Sequence, residues 1–241
     1  MEDKKIIPAI ILGLALIVSA FTFGKLYYSA QSVNSKDSLS VTGSTKTRVT
    51  SDQAKLVISL SRDAATPDLS PGYKNLALDL ATAHAFLTKS GVADADVTES
   101  PATASQVYEQ YPTVGVTRYQ LVQTITIQSG DVAKVTEVSK NVPSLAKGGA
   151  VVSVQSLEYY YSKLPDLRVS LLTQAVQDAK ARAEKIAEGT GRKIGGIMTA
   201  EGGVVQVLAP NSVDVSDYGS YDTSSIDKDV MISVKASFRL E

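Results

Sequence analysis

The chain has 241 residues, 24 Lys+Arg against 25 Asp+Glu, no cysteine and one histidine. The balanced charge lacks the basic excess that nucleic-acid binding needs. The missing cysteines exclude disulfides, thiolate metal sites, iron–sulfur clusters and cysteine nucleophiles. A single histidine, His84, rules out the common multi-histidine metal sites and makes a histidine relay implausible.

Lys4 and Lys5 precede an uncharged run over residues 6–24, closed by Lys25. As a helix at about 1.5 Å per residue, the run reaches roughly 28 Å, close to the hydrocarbon thickness of a bilayer. Its centre is apolar all round, which argues against an amphipathic surface helix. Tyr27 and Tyr28 follow where an interfacial aromatic belt falls. Two readings stay open. Val18-Ser19-Ala20 resembles a signal-peptide cleavage site, but the apolar run continues past Ala20 through Phe23, which favours an uncleaved anchor. The expected organisation is an anchor over 1–28, a small and polar linker over 29–37, and one domain over 38–241. That makes a single-pass protein of the cell membrane, held through residues 6–24 with its C-terminal domain extracytoplasmic.

Short alternating strands are predicted over 39–43 and 54–60, the second with Leu56, Ile58 and Leu60 on one face. Ser51-Asp52 lies between them as turn chemistry, so the pair reads as a hairpin. Ser70-Pro71 opens a helix, with serine as cap and proline at the first helical position. Tyr73, Leu76, Ala77, Leu80, His84 and Leu87 make its stripe, and Gly91 closes it. Strands follow near 96–108 and 116–128, the second alternating through Tyr119, Leu121, Ile125 and Ile127. Asp131 caps a second helix with Val132, Val135 and Val138 inward, and Pro143 ends or kinks it. A strand over 150–159 leads to a third helix that starts at Pro165-Asp166. Its predicted stripe is Leu171, Leu172, Ala175, Ala179, Ala183, Ile186 and Ala187, with Asp178–Arg182 and Lys180–Glu184 as solvent-side pairs. Strands near 194–200 and 230–240 complete an α+β fold of mixed or antiparallel sheets backed by helices, preceded by one transmembrane helix. Residues 202–229, rich in Ser and Asp, read as a long loop, partly disordered, with a short strand near 204–208.

No catalytic, cofactor-binding or metal-binding set emerges. His84 shares an apolar stripe and reads as a partly buried, hydrogen-bonded histidine. The aspartates at 214, 217, 222, 227 and 229 do not match a calcium loop. The glycine pairs at 195–196 and 202–203 are turn glycines, not a phosphate-binding fingerprint. Tyr159-Tyr160-Tyr161 is the candidate interaction surface, because tyrosine combines apolar area with a polar tip. On a strand, Tyr159 and Tyr161 share one side and Tyr160 takes the other.

Three segments resemble the SIMPL domain family of bacterial extracytoplasmic proteins. Leu39-Ser40-Val41-Thr42-Gly43 with Ser51-Asp52-Gln53-Ala54-Lys55-Leu56 is similar to the family's opening hairpin. Leu87 to Val92 is similar to its helix-to-strand step. The run from Ala175 to Ala187, continuing into Gly191 and Ile194-Gly195, resembles its most recognisable helix. The resemblance implies an α+β domain in the cell envelope and, in some members, large ring- or channel-like oligomers and a link to oxidative stress; a homo-oligomer with an envelope protein partner is expected. It supplies no catalytic residue. The expected function is therefore a non-enzymatic, self-associating or protein-binding module. A small-molecule or cell-wall-ligand binding module is the alternative, and a hydrolase the third possibility.

Overall fold

The structure, a computed structural model, describes residues 13–27, 37–110 and 113–241. It is α+β, with antiparallel strand ladders and helices laid on them. The chain divides into two compact units, one of residues 1–45, 170–204 and 232–241, the other of residues 46–169 and 205–231.

Residues 13–27 form helix α1, with Leu16, Ile17, Phe21 and Phe23 exposed. The span expected over 6–24 includes residues 6–12, and the linker over 29–37 includes residues 29–36; both stretches lie outside the described residues. Among the described residues no helix is long and apolar enough to cross a membrane.

The first unit holds β7 (Ile194–Gly202) and most of β1 (Ser38–Thr50) and β9 (Asp227–Leu240), strands that lie in the order β1-β9-β7. β7 runs antiparallel to β9 from Ile194↔Leu240 to Gly202↔Val234. α4 (Leu164–Gly189) buries Leu171, Ala175, Ala179, Ala183 and Ala187. Ala179 and Ala183 join Val41, Ala236 and Phe238 in a small core. Leu172 and Ile186, expected in the stripe, are exposed. The reason is steric: a strict four-residue repeat of small side chains makes a narrow ridge against which backbone can pack closely. Gly43 uses that closeness, since a Cβ there would stand 2.2 Å from the Ala175 carbonyl oxygen. Asp178 pairs with Arg182 as expected and also accepts the Ser44 N–H at 2.8 Å.

The second unit is built on a five-stranded sheet of order β3-β5-β2-β6, with β4 also paired to β5. Its strands are β2 (Gln53–Ala65), β3 (Val97–Glu99), β4 (Thr103–Val107), β5 (Arg118–Ser129) and β6 (Val151–Tyr160). Central β2 buries Ala54, Leu56, Ile58 and Leu60 at period two, and β5 buries Leu121, Ile125 and Ile127. The helices α2 (Ser70–Lys89) and α3 (Val132–Asn141) cover this core. Asp131 caps α3 by accepting the Lys134 N–H at 3.0 Å, and Pro143 ends it in a 3-10 turn.

Four expectations are corrected here. β1 and β2 do not form a hairpin, because β1 lies beside β9 while β2 pairs with β5 and β6. The linking residues are bonded to different strangers in sequence: Ser51 N–H to the Ile226 carbonyl and Asp52 N–H to the Tyr160 carbonyl. The α2 face is rotated by about one position. It buries Gly72, Leu76, Ala83 and Leu87 and leaves Tyr73 and Ala77 exposed. Gly72 sets this rotation, because a Cβ there would come within 2.7 Å of the Ala64 side chain. Ser70 is the first helical residue and not the cap; its N–H is bonded to the Asp68 carboxylate at 2.9 Å. The single strand expected near 96–108 is two strands, parted by Ser100-Pro101-Ala102, since proline lacks the N–H a ladder needs.

The 202–229 segment is tied down far more than its composition suggests. β8 (Gln206–Leu208) pairs antiparallel with the start of β9. Val207 donates to the Ser220 carbonyl at 2.8 Å and accepts the Asp222 N–H at 2.8 Å. Composition predicts how much core a segment can build, but local side-chain-to-backbone bonds can order it without one.

Candidate functional site

The tyrosine run sits at the end of β6, and its three members have different surroundings. Tyr159 is buried; its hydroxyl shares a 2.8 Å hydrogen bond with Thr136 Oγ1 on α3, and its N–H donates to the Thr223 carbonyl at 2.8 Å. Tyr160 is half-buried, and its hydroxyl donates to Glu158 Oε2 at 2.5 Å. That bond, with burial, pushes the Tyr160 phenol up to about 12. Tyr161 lies just past the strand, so strand alternation no longer governs it. Its N–H donates to the Tyr221 hydroxyl at 3.4 Å. The Tyr160 and Tyr221 rings lie 6.1 Å apart, tilted by 37°. The fold thus brings the tyrosine strand and the long loop to one place, with Lys55 4.0 Å from Glu158 beside them.

Two charge clusters hold the loop. The Asp222 carboxylate accepts the Ser224 and Ser225 amides at 3.1 and 3.2 Å and both hydroxyls. Burial alone would raise its pKa, yet these four donors hold it well below the usual carboxylate range. Lys228 is fully buried and donates to the Asp222 carbonyl at 2.5 Å and the Ser225 carbonyl at 2.7 Å. Desolvation lowers its pKa, against the opposing pull of Asp222. The neighbouring buried Asp229 accepts from Arg48 Nε at 2.8 Å, Lys46 Nζ at 3.1 Å and the Asn211 amide at 3.1 Å. The bond to Arg48 does most to hold Asp229 well below the usual range. Asp227-Lys228-Asp229 looks like a solvated charge run in the sequence. Its burial was missed because the partners come from β1 and from residues 211–225. The Asp222-Thr223-Ser224-Ser225 turn does carry a local signal, since Asp followed by serines is a capping pattern.

His84 is half-exposed, with Nε2 bonded to the Glu99 carboxylate on β3. This is a hydrogen-bonded histidine, as expected, with its partner on the edge of the sheet. A cavity of about 100 Å³ lies between Ser90 and the α3 residues Lys134, Glu137, Val138 and Asn141. It is smaller than the ~300–1,000 Å³ of typical small-molecule sites. Among the described residues no group of three or more His, Asp or Glu side chains is placed to hold a metal ion.

The β4–β5 connection carries several exposed apolar side chains. Tyr108 is 87% and Val114 98% exposed, and Val107 and Val116 are also exposed. Arg118 and Glu109 pair at 3.1 Å beside these side chains in the sequence. In the sequence Val107-Tyr108 and Val114–Val116 look like ordinary strand residues, so nothing there marks this surface.

A family model described as "SIMPL: Protein of unknown function (DUF541)" matches residues 39–238. No curated protein matches the chain. Among solved structures, a Burkholderia cenocepacia chain described as a candidate amidohydrolase/peptidase is 14% identical, with a TM-score of 0.26. The match covers 48% of this chain and 31% of that one. The chain belongs to the SIMPL family.

Proposed function

We propose that this member of the SIMPL family is a membrane-anchored envelope module that acts by binding protein, including copies of itself, and not by catalysis. The observation that carries the reading is the β4–β5 hairpin tip, where Val107, Tyr108, Val114 and Val116 stand in solvent. Apolar clusters rimmed by polar residues mark protein contact surfaces, and tyrosine is favoured in them. A binding role is also supported by how the loop's carboxylates are used. Asp222 and Asp229 are spent on turn amides, hydroxyls and cations that hold the loop in place.

Anchoring rests on the uncharged run over 6–24 and on the exposed apolar side chains of α1. The domain then lies outside the cytoplasm, since the lysines precede the run. The protein extracted from membranes begins at Met1 in this reading; an N-terminus at Phe21 would replace the anchor with a cleaved signal. The binding reading is tested by native mass measurement of the detergent-extracted full chain, with crosslinking in cells. Masses above one chain, or a crosslinked partner lost on Tyr108→Ser with Val114→Ser, are expected. A monomer with no crosslinked partner overturns it.

A second reading, binding of a cell-wall saccharide, is favoured by the Tyr160–Tyr221 ring pair beside Glu158. Isothermal titration with soluble peptidoglycan fragments, wild type against Tyr221→Ser, separates it from the first.

A further inference from the structure

β4 is bonded to β5 on one side, from Thr103↔Val122 to Val107↔Arg118 without a register shift. All five of its residues are exposed, and no strand among the described residues lies on its other side. An open edge presents a row of N–H and C=O groups that can accept another strand. Proteins usually blunt such edges with lysine, proline or a bulge. The opposite edge of this sheet is blunted: β6 has a register shift opposite Val57/Ile58, carries Glu158, and has its Tyr159 N–H taken by the Thr223 carbonyl. β4 has none of these devices. Thr103-Ala104-Ser105-Gln106-Val107 has no charge, no proline and no bulge, and the uncharged stretch extends over residues 100–108.

We propose that β4 pairs antiparallel with β4 of a second copy of this chain, across a two-fold axis at Ser105. This rests on the self-binding reading above and names its contact. In that register Ser105 faces the partner's Ser105, Ala104 faces the partner's Gln106, and Thr103 faces the partner's Val107. No like charges meet, whereas opposed like charges would weaken such a pair. One step further, Tyr108 reaches the level of the partner's Ala102, next to the partner's Pro101. The pairing thus covers apolar surface that is bare in the single chain. A foreign extended peptide could use the same edge. The chain's own strand fits better, because its uncharged length matches from end to end and the flanking Val107-Tyr108 gains cover on both sides. The contact is isologous, so it closes at two copies.

The absence of cysteine allows a direct test in the full-length, detergent-extracted protein. Facing residues in an antiparallel pair have Cα atoms about 4.5–5.5 Å apart, inside the disulfide range. Two copies of residue 103 would instead be roughly 14 Å apart along the strands. Under mild oxidation Ser105→Cys should become mostly covalent dimer, and Thr103→Cys should yield at least about tenfold less. Independently, Ser105→Lys should abolish the dimer at concentrations where wild type is dimeric, with an unchanged circular dichroism spectrum. Wild type that self-associates while Ser105→Cys fails to link, or while Ser105→Lys still dimerises, overturns the β4 contact and leaves self-binding standing. Wild type that is monomeric at every concentration overturns both.

Discussion

Gly43 and Ala179 approach so closely that a Cβ at position 43 would stand 2.3 Å from the Ala179 backbone nitrogen. The alanine ridge of α4 and the glycine of β1 are therefore one device: neither works without the small size of the other. Gly43→Ala should destabilise the protein by about 3 kcal/mol, because helix or strand backbone must move to admit the methyl group. Urea unfolding measures it. A midpoint equal to wild type would mean that strand and helix are not in this apposition.

Ala179→Asp tests the same ridge by charge. Ala179 is fully buried beside Val41, Ala236 and Phe238. A carboxylate there finds an apolar surround, so a loss on the order of several kcal/mol is expected. Thermal melting of the purified variant decides it.

Two hydrogen-bonded carboxylates, one buried and one partly buried, give the protein an acid-sensitive loop. Asp222 and Asp229 have folded pKa values below the ordinary one. Each contributes stability that is present above the unfolded-state value and is lost as pH falls towards the folded value. Stability should therefore decline from about pH 4 downward. Asp229→Asn should cost about 2–3 kcal/mol at pH 7, since it weakens charged hydrogen bonds to Arg48 and Lys46. It should also flatten the acid limb. Denaturant unfolding at pH 7, 4 and 3 measures both effects, and an acid limb as steep as wild type would rule Asp229 out as its source.

Tyr160 makes the opposite prediction at high pH. Its folded pKa is raised to about 12 by the hydrogen bond to Glu158. The stability it contributes is complete below the unfolded tyrosine value of about 10 and is lost as pH rises through the folded value. Phenolate absorbance should show one late-ionising tyrosine that Tyr160→Phe removes and Glu158→Gln shifts back towards neutral pH. An unchanged alkaline titration in Glu158→Gln would break the assigned link.

His84→Gln should leave envelope function intact and change stability by less than about 1 kcal/mol, because the Glu99 pair is largely at the surface. Complementation of a deletion strain at matched protein levels is the measurement. Loss of function in a folded, membrane-located variant would favour proton transfer and so an enzyme.

Periodic segments were legible residue by residue. Leu56, Ile58 and Leu60 in β2, Leu121, Ile125 and Ile127 in β5, the Asp131 cap and the alanine ridge of α4 all lie as their spacing implies. These signals are local: a side chain's direction follows from its position along its own helix or strand. The sequence by itself also marked the uncharged run before the domain and the family resemblance. It could not say that β1 leaves β2 for β9, that Lys228 is buried, or that Tyr160 meets Tyr221. Strand pairing is made by backbone groups that every residue carries, so it leaves little trace in residue type. The burial of Lys228 depends on carbonyls from residues 222 and 225 turning inward, and a buried cation is tolerable only where such partners converge. Both are decided by distant segments meeting in three dimensions, where geometry and not composition sets the hydrogen bonds.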